Sequence, residues 1–213
     1  MFMKKECLVL FFLGIALMVL CTSDSPTRKE KLELSSGLIH LRNGDFSVSR
    51  STPPLPRLMS CTLVEILESP SVPSNMGKAN FGERKEFIQC IAFDECNEGR
   101  TLRYIRIARL VPIACCMLAG WFCFSLTARI HGLLPAQLSL GAWCLSPLVL
   151  SYGHLAVPHI FTTLFILAAV CSIFSWIERP RFTFAALSGA CTGAALLCSH
   201  SSLSIWLFGE FSG

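Results

Sequence analysis

Charged residues are scarce in this sequence. Only 15% of its 213 residues are Asp, Glu, Lys or Arg, whereas 53% are hydrophobic. Because a soluble domain carries roughly 25% charged residues, this composition argues against an ordinary soluble domain, and it excludes disorder and fibrous repeats. Much of the chain is therefore expected to meet lipid instead of water.

A large excess of positive charge is also missing. The chain has 18 Lys and Arg against 14 Asp and Glu, which gives a net charge of +4. The interleaved basic and aromatic residues of a base-stacking surface are absent too, so no nucleic-acid partner is expected. Since Cys90, Cys96 and His131 do not have the spacing of metal ligands, the sequence predicts no metal site, and nothing in it implies a cofactor.

Cysteine is abundant, but its distribution is not that of a disulfide scaffold. Nine of the 12 cysteines lie in apolar stretches, where Cys packs as a small hydrophobic residue. The other three, Cys61, Cys90 and Cys96, lie in the polar part of the chain. A disulfide between Cys90 and Cys96 stays open as an alternative if that part faces an oxidising compartment.

Five stretches approach the length of about 20 apolar residues that a lipid-spanning helix needs. They are 7–22, 110–128, 133–152, 157–177 and 182–208. The first stretch is also compatible with a signal peptide, but it lacks a clear small-x-small cleavage site and is interpreted as an uncleaved span or signal anchor. The sequence thus predicts an all-α, polytopic membrane protein with about five transmembrane helices.

Basic residues in the short linkers predict the orientation of these spans. The linkers that would face the cytoplasm by the positive-inside rule carry Lys4, Lys5, Arg129, Arg179 and Arg181, whereas 153–156 has no Lys or Arg. The N-terminus is then cytoplasmic, and the long loop at 23–109 lies on the outer face. The predicted organisation is a first span at 1–22, this outer loop, and a four-helix membrane region at 110–213.

The outer loop contains two segments with helical character. In 29–41, leucines recur at i, i+4 and i+7 and form an apolar face suited to a helix lying on the membrane surface. Asp24 or Ser25, before Pro26, is expected to cap this helix. Segment 58–67 predicts a second amphipathic or partly buried helix, and the polar segment 68–99 predicts a linker or a weakly ordered insertion.

Several motifs follow one another in this loop and beyond it. They are D-S-P-T-R-K-E at 24–30, L-R-N-G-D-F at 41–46, P-P-L at 53–55, S-P at 146–147 and Y-G-H-L-A-V-P-H at 152–159. In order and spacing they resemble the front part of the bacterial multi-pass membrane glycosyltransferases of the C superfamily, a group akin to protein mannosyltransferases and lipid A aminoarabinose transferases. The resemblance covers most of the chain outside 68–99.

The resemblance implies the transfer of a sugar from a polyprenyl-phosphate donor to an acceptor at the outer face of the bacterial inner membrane. In such a reaction a base acts on the acceptor hydroxyl, and cationic groups hold the departing phosphate. The family pattern makes Glu30 the remaining acid of a catalytic pair. It also implies a catalytic position at His159, which is otherwise a helix cap, and leaves Asp24 as an alternative base or a cap.

A row of arginines at three-residue spacing precedes the second span. These residues, which can share one helix face, are Arg103, Arg106 and Arg109. The resemblance implies a seat for the donor phosphate at this face. The alternative is that the arginines extend to the phosphates of ordinary lipids.

Three positions depart from the family pattern. The leading Asp of the family aligns with Lys29, the second Asp aligns with His159, and a later Lys aligns with Ser199. These changes predict an impaired enzyme or, as the alternative, a non-catalytic membrane scaffold, in which Glu30 is a solvated residue on a charged helix face. A third interpretation is a truncated reading frame, since the sequence ends at 206–213, in or just after an apolar span and with no polar closing segment.

Overall fold

The computed structural model describes residues 3–49, 52–73 and 85–202, and every element of secondary structure within these ranges is a helix. This confirms the predicted all-helical fold. A 3₁₀ turn at His200–Ser202 follows the α-helices. Their bounds are α1 Met3–Ser23, α2 Arg28–Asn43, α3 Leu55–Glu68, α4 Lys85–Cys96, α5 Thr101–Ala108, α6 Leu110–His131, α7 Leu133–Leu145, α8 Pro147–Tyr152, α9 Pro158–Glu178 and α10 Phe182–Cys198.

Three stretches of helix are long and apolar enough to cross a membrane. They are Glu6–Ser23 in α1, Thr101–His131 and Pro158–Glu178. The second comprises α5 and α6, which run on through Arg109 because that residue is itself in the helical conformation. These stretches correspond to the first, second and fourth spans predicted from the sequence, and they are compatible with a membrane protein.

The third predicted span, 133–152, is not one continuous helix. α7 ends at Leu145, Ser146 is extended (φ −64°, ψ 123°), and α8 begins at Pro147. Proline has no N–H to donate and disfavours the helical conformation of the residue before it. Of the fifth predicted span, α10 comprises 17 residues, and 203–208 lie outside the described residues.

The helices pack around two apolar cores. The first core joins α1, α6, α7 and α9 through buried side chains such as Leu17, Cys116 and Phe161. The second core lies between α2, α3, α4 and α5 and contains Leu38 and Val64. The segment predicted as an outer loop is therefore a packed helical layer, and α3 of this layer contacts α6, α9 and α10.

Two expectations for this layer are wrong. Most of the apolar face of α2 is turned into the protein and not towards a membrane surface, since Leu34 and Leu38 are at most 3% exposed within the second core, whereas Leu41 is 38% exposed. The segment 68–99 is not simply a linker, because it contains α4, whose Phe93 packs edge-on against Tyr104 at 6.3 Å between ring centroids. The polar composition of 68–99 concealed one buried aromatic face; residues 74–84 lie outside the described ranges.

Candidate functional site

A capping box fixes the start of α2. Thr27 is extended and is the N-cap, and its hydroxyl accepts a hydrogen bond from the Glu30 N–H at 3.2 Å. In return, the Thr27 N–H donates to Glu30 Oε2 at 3.0 Å. The expectation that Asp24 or Ser25 caps this helix is therefore wrong, and the T-x-x-E pattern at 27–30 is the signal that would have found the cap.

Glu30 forms a buried ion pair with Arg109. Arg109 Nε lies 2.8 Å from Glu30 Oε1, and Nη2 lies 2.9 Å from Oε2, which is the bidentate geometry that suits a guanidinium and a carboxylate. Each residue is 1% exposed. The interpretation of Glu30 as a solvated residue on a charged face is thus wrong, because α2 turns this side chain inward.

The remaining N–H groups of Arg109 hold the chain between α1 and α2. Nη1 donates to the carbonyls of Cys21 at 2.9 Å and Asp24 at 3.0 Å, and Nη2 donates to the carbonyl of Ser25 at 3.4 Å. Together with the two bonds to Glu30, all five guanidinium N–H groups are used. Arg109 therefore fixes the Asp-Ser-Pro segment in place.

Glu30 also binds the turn before α9, because its Oε1 accepts a hydrogen bond from the Ala156 N–H at 3.1 Å. Burial alone would raise the pKa of Glu30. The hydrogen bonds from Arg109, Thr27 and Ala156, together with the charge of Arg109, outweigh that effect and hold the pKa of Glu30 below its ordinary value. Glu30 is therefore an ionised group whose two oxygens are occupied by protein donors.

Asp24 forms a second polar contact close to this ion pair. Its Oδ2 lies 3.0 Å from Nε2 of His154, a residue in the turn after α8. The His154 side chain is fully buried, whereas that of Asp24 is 49% exposed. On its other side, His154 Nδ1 lies 3.2 Å from the carbonyl oxygen of Leu150.

A small cavity of about 140 Å³ opens beside Asp24. Its walls are the segment 22–26 and one face of α5 together with Arg109, which follows α5. That face contributes Arg106 and Arg109, of which Arg106 is exposed and Arg109 is buried. The cavity therefore combines hydroxyl groups, a carboxylate and a guanidinium in a space that fits a phosphate group.

The structure places two of the predicted site residues elsewhere. Arg103 forms an ion pair with Glu68 at 2.5 Å, and its side chain is 70% exposed. His159 stands at the start of α9, where its ring contacts Tyr152 at 5.6 Å and lines a separate, mainly apolar cavity of about 710 Å³. Asp24, Glu30, Arg106 and Arg109 are thus brought together, whereas Arg103 and His159 are not part of this group.

Lys29 lies near His159, close enough to act on it electrostatically. Both side chains are exposed, and neither is an acid, so the two positions at which the sequence resemblance expects an Asp offer no carboxylate.

A second buried ion pair stabilises the turn before α3. Arg57 Nε lies 2.9 Å from Glu33 Oε2. Thr52 connects the two, because its hydroxyl donates to Glu33 Oε1 at 3.0 Å and its carbonyl accepts from Arg57 Nη2 at 2.9 Å. This pair ties the Pro-Pro-Leu segment to α2.

The described residues contain no group of three or more His, Cys, Asp or Glu arranged to hold a metal ion. All cysteines in the described ranges are free thiols, Cys90 and Cys96 included, and these two lie in α4, six residues apart. Burial, and to a smaller extent the charge of Asp94, raises the pKa of the Cys90 thiol.

Comparisons with protein-family models, with curated proteins and with solved structures found no match to this chain. The likeness to the C-superfamily glycosyltransferases therefore rests on the motifs of the sequence.

Proposed function

We propose that this chain is a polytopic protein of the bacterial inner membrane that binds the phosphate of a polyprenyl-phosphate sugar and resembles the transferases of such sugars. The observation that carries the proposal is the cavity beside Asp24, where Arg106 and Arg109 meet the Asp-Ser-Pro segment. In the proposed topology the N-terminus is cytoplasmic and this cavity lies at the outer face.

The geometry divides the roles of the two arginines. Arg109 has no N–H left for a ligand, because all five are bound to Glu30 and to backbone carbonyls. It contributes positive charge and rigidity. Arg106 is exposed within the same cavity and supplies the N–H groups that a phosphate oxygen would accept from.

Asp24 is the acid that fits the role of base in this proposal. Glu30 is 1% exposed and its oxygens are occupied, so it does not reach an acceptor hydroxyl. Asp24 is half exposed and lines the cavity next to Arg106. A carboxylate beside a phosphate seat is the arrangement that general-base attack of a hydroxyl on a sugar phosphate requires.

The test is binding of a radiolabelled polyprenyl-phosphate sugar to the full chain in lipid nanodiscs. Arg106→Gln is expected to weaken binding by roughly 10-fold or more, since a hydrogen bond to a charged group is worth about 1.5–3 kcal/mol. Arg103→Gln is the matched control, because this exposed arginine lies one helical turn away and outside the cavity. Equal effects of the two variants, or no binding by the wild-type chain, would contradict the proposal.

Turnover is measured in the same preparation by transfer of the label from the lipid to an added acceptor. The expectation is that Asp24→Asn lowers turnover by about 10²-fold or more while donor binding persists, as for removal of a general base. Donor binding by the wild-type chain without any turnover would refute transferase activity and leave phosphate binding standing.

The second candidate function, a non-catalytic membrane scaffold, is favoured by the structural use of Glu30. This side chain connects α2, α6 and the turn before α9. Breaking a buried pair by removing one partner costs about 3–5 kcal/mol, so Glu30→Gln is expected to lower the thermal stability of the detergent-solubilised chain strongly. Asp94→Asn, which removes the partly exposed pair with Lys31, is the control and should cost about 0–1 kcal/mol.

A further inference from the structure

The contact between Asp24 and His154 is not explained by phosphate binding in the cavity beside Asp24. His154 is fully buried, and both of its ring nitrogens have a partner. The carbonyl oxygen of Leu150 only accepts hydrogen bonds, so Nδ1 must carry a proton to bond with it. A neutral ring has a single N–H, so a neutral His154 that donates to Leu150 leaves Nε2 as a bare acceptor, and one that donates to Asp24 leaves Nδ1 without a proton facing the carbonyl oxygen.

Nε2 faces a carboxylate oxygen at 3.0 Å. The Leu150 carbonyl and an ionised Asp24 are both acceptors, so two hydrogen bonds need two N–H groups, whereas a neutral ring has one. Both bonds exist together when the ring is an imidazolium, or when Asp24 is protonated and donates to Nε2. In either form, one additional proton lies between Nε2 and Oδ2.

We infer that Asp24 and His154 form a pair that shares one proton and serves as the acid–base element of the cavity. Asp24 is the member that touches a bound acceptor, because it lines the cavity, and His154 is its positioning residue. The inference of a shared proton rests on the two acceptors that face the ring, the Leu150 carbonyl and the Asp24 carboxylate. Its use in sugar transfer rests on the function proposed above.

The pair supplies the base as follows. When it has lost the shared proton, the Nε2 lone pair and the Asp24 carboxylate face each other, so that the pair readily takes up a proton. The acceptor hydroxyl breaks its O–H bond and gives this proton to Asp24, while its oxygen forms a bond to C1 of the sugar. The C1–O bond to the phosphate breaks, and the polyprenyl phosphate leaves with the electron pair beside Arg106.

The charged and titratable groups near the pair belong to several helices. Arg106 and Arg109 belong to the α5–α6 segment, Glu30 belongs to α2, and the Cys21 thiol belongs to α1. Arg109 and Glu30 are bound to each other. Behind the turn that bears His154, Cys116 of α6 approaches Gly153.

The shared proton is tested on the whole chain in nanodiscs by NMR with ¹⁵N-labelled histidine, at neutral pH. The chain has five histidines, and the signals of His154 are those lost in His154→Gln. The expected result is a protonated Nδ1 and an Nε2 that carries a proton wholly or in part. In Asp24→Asn, whose amide can donate to Nε2, this nitrogen is expected to become an unprotonated acceptor.

The inference of a shared proton would be overturned by an unprotonated Nε2 in the wild-type chain, or by an Nε2 signal that is the same in the wild type and in Asp24→Asn. This readout needs no turnover, so it is independent of the transferase proposal. Asp24→Asn leaves the backbone carbonyl that binds Arg109 in place. If His154→Gln folds poorly, the His154 signals are assigned instead by replacing the other four histidines one at a time.

The catalytic use is tested by turnover in His154→Gln. Glutamine can still donate a hydrogen bond to Asp24 and hold it in position, but it takes up no proton. The expectation is unchanged donor binding and a loss of turnover of about 10²-fold or more. If His154→Gln turns over as fast as the wild-type chain, the catalytic use of the pair is overturned. If the wild-type chain does not bind the donor, the proposed function is refuted and the NMR result still stands.

Discussion

Arg109 shows how one side chain can assemble a site from distant parts of a sequence. It is bound to Glu30, 79 residues away, and to carbonyls 84 to 88 residues away. Both Arg109 and Glu30 were predicted as site residues, but their pairing was not predictable, since no local periodicity relates positions so far apart. The consequence is that Glu30 stabilises the fold and Asp24 faces the cavity.

His154 illustrates the limit of sequence reasoning at the residue scale. It lies within the Y-G-H-L-A-V-P-H motif, yet the family pattern directed attention to His159 instead. The contact of its ring with Asp24, 130 residues away, is visible only in the folded structure. A lone histidine in an apolar sequence gives no such signal.

His40 gives a prediction for the pH dependence of stability. It is 3% exposed, and neither ring nitrogen has a hydrogen-bond partner among the described residues. Burial, aided by the positive charge of Arg57, lowers the pKa of His40 from 6.5 to about 4 in the folded chain. The unfolded chain then binds the extra proton first, so the neutral ring's contribution is fully present above pH 6.5 and is lost as pH falls through about 4.

The measurement is the unfolding midpoint of the detergent-solubilised chain between pH 7 and 4, compared with His40→Phe. Phenylalanine keeps the stacking on Phe46, whose ring centroid lies 4.7 Å away. The variant is expected to lose less stability on acidification, with a difference on the order of 1 kcal/mol or more. His131→Phe, which replaces an exposed histidine, is the control and should respond to acid as the wild-type chain does. An identical acid sensitivity of His40→Phe and wild type would contradict the prediction.

At the scale of helices, α2 and α3 approach each other closely at Gly37. A Cβ at this position would lie 2.5 Å from Cys61 Sγ and 3.2 Å from the Arg57 carbonyl oxygen. The helices were predicted at 29–41 and 58–67 and are found at Arg28–Asn43 and Leu55–Glu68. Their existence followed from apolar spacing, but their contact through a glycine depends on tertiary packing that the spacing does not encode.

Gly37→Ala is expected to destabilise the chain by about 1–3 kcal/mol, because the added methyl group forces α2 and α3 apart. Thermal unfolding in detergent measures the loss. Gly141→Ala is the matched control: it is also a glycine within a helix, but its new Cβ meets no described atom within 4 Å. There, alanine is expected to be neutral or to stabilise by about 0.5–1 kcal/mol, and equal effects at the two sites would contradict the argument.

At the scale of the whole molecule, the length of the apolar stretches predicted where helices form, but it did not predict whether each stretch is one continuous helix. The stretches around α1, α6 and α9 were predicted from their length alone. The stretch 133–152 was predicted as one span in the same way, but it forms two helices, because a hydrophobicity averaged along the sequence conceals the break that Pro147 imposes. The packed layer formed by α2 to α5 was also missed, since its buried faces are short and separated by polar turns.

The proposed topology places this layer outside the cytoplasm, and Cys96 offers a direct test. It lies at the end of α4 and is exposed. A membrane-impermeant maleimide is therefore expected to label Cys96 when added from the outside, and Cys96→Ser should remove that signal. Cys90 is expected to react more slowly, since burial raises the pKa of its thiol and the thiolate is the reactive form.

Arg179→Cys in the Cys96→Ser background is the opposite control. This exposed position follows α9 and belongs to a basic linker that the positive-inside rule places in the cytoplasm. It is expected to be labelled after the membrane is permeabilised and not before. The reverse pattern, with Cys96 protected and position 179 labelled from outside, would invert the topology and remove the cavity beside Asp24 from the face where the proposed sugar transfer takes place.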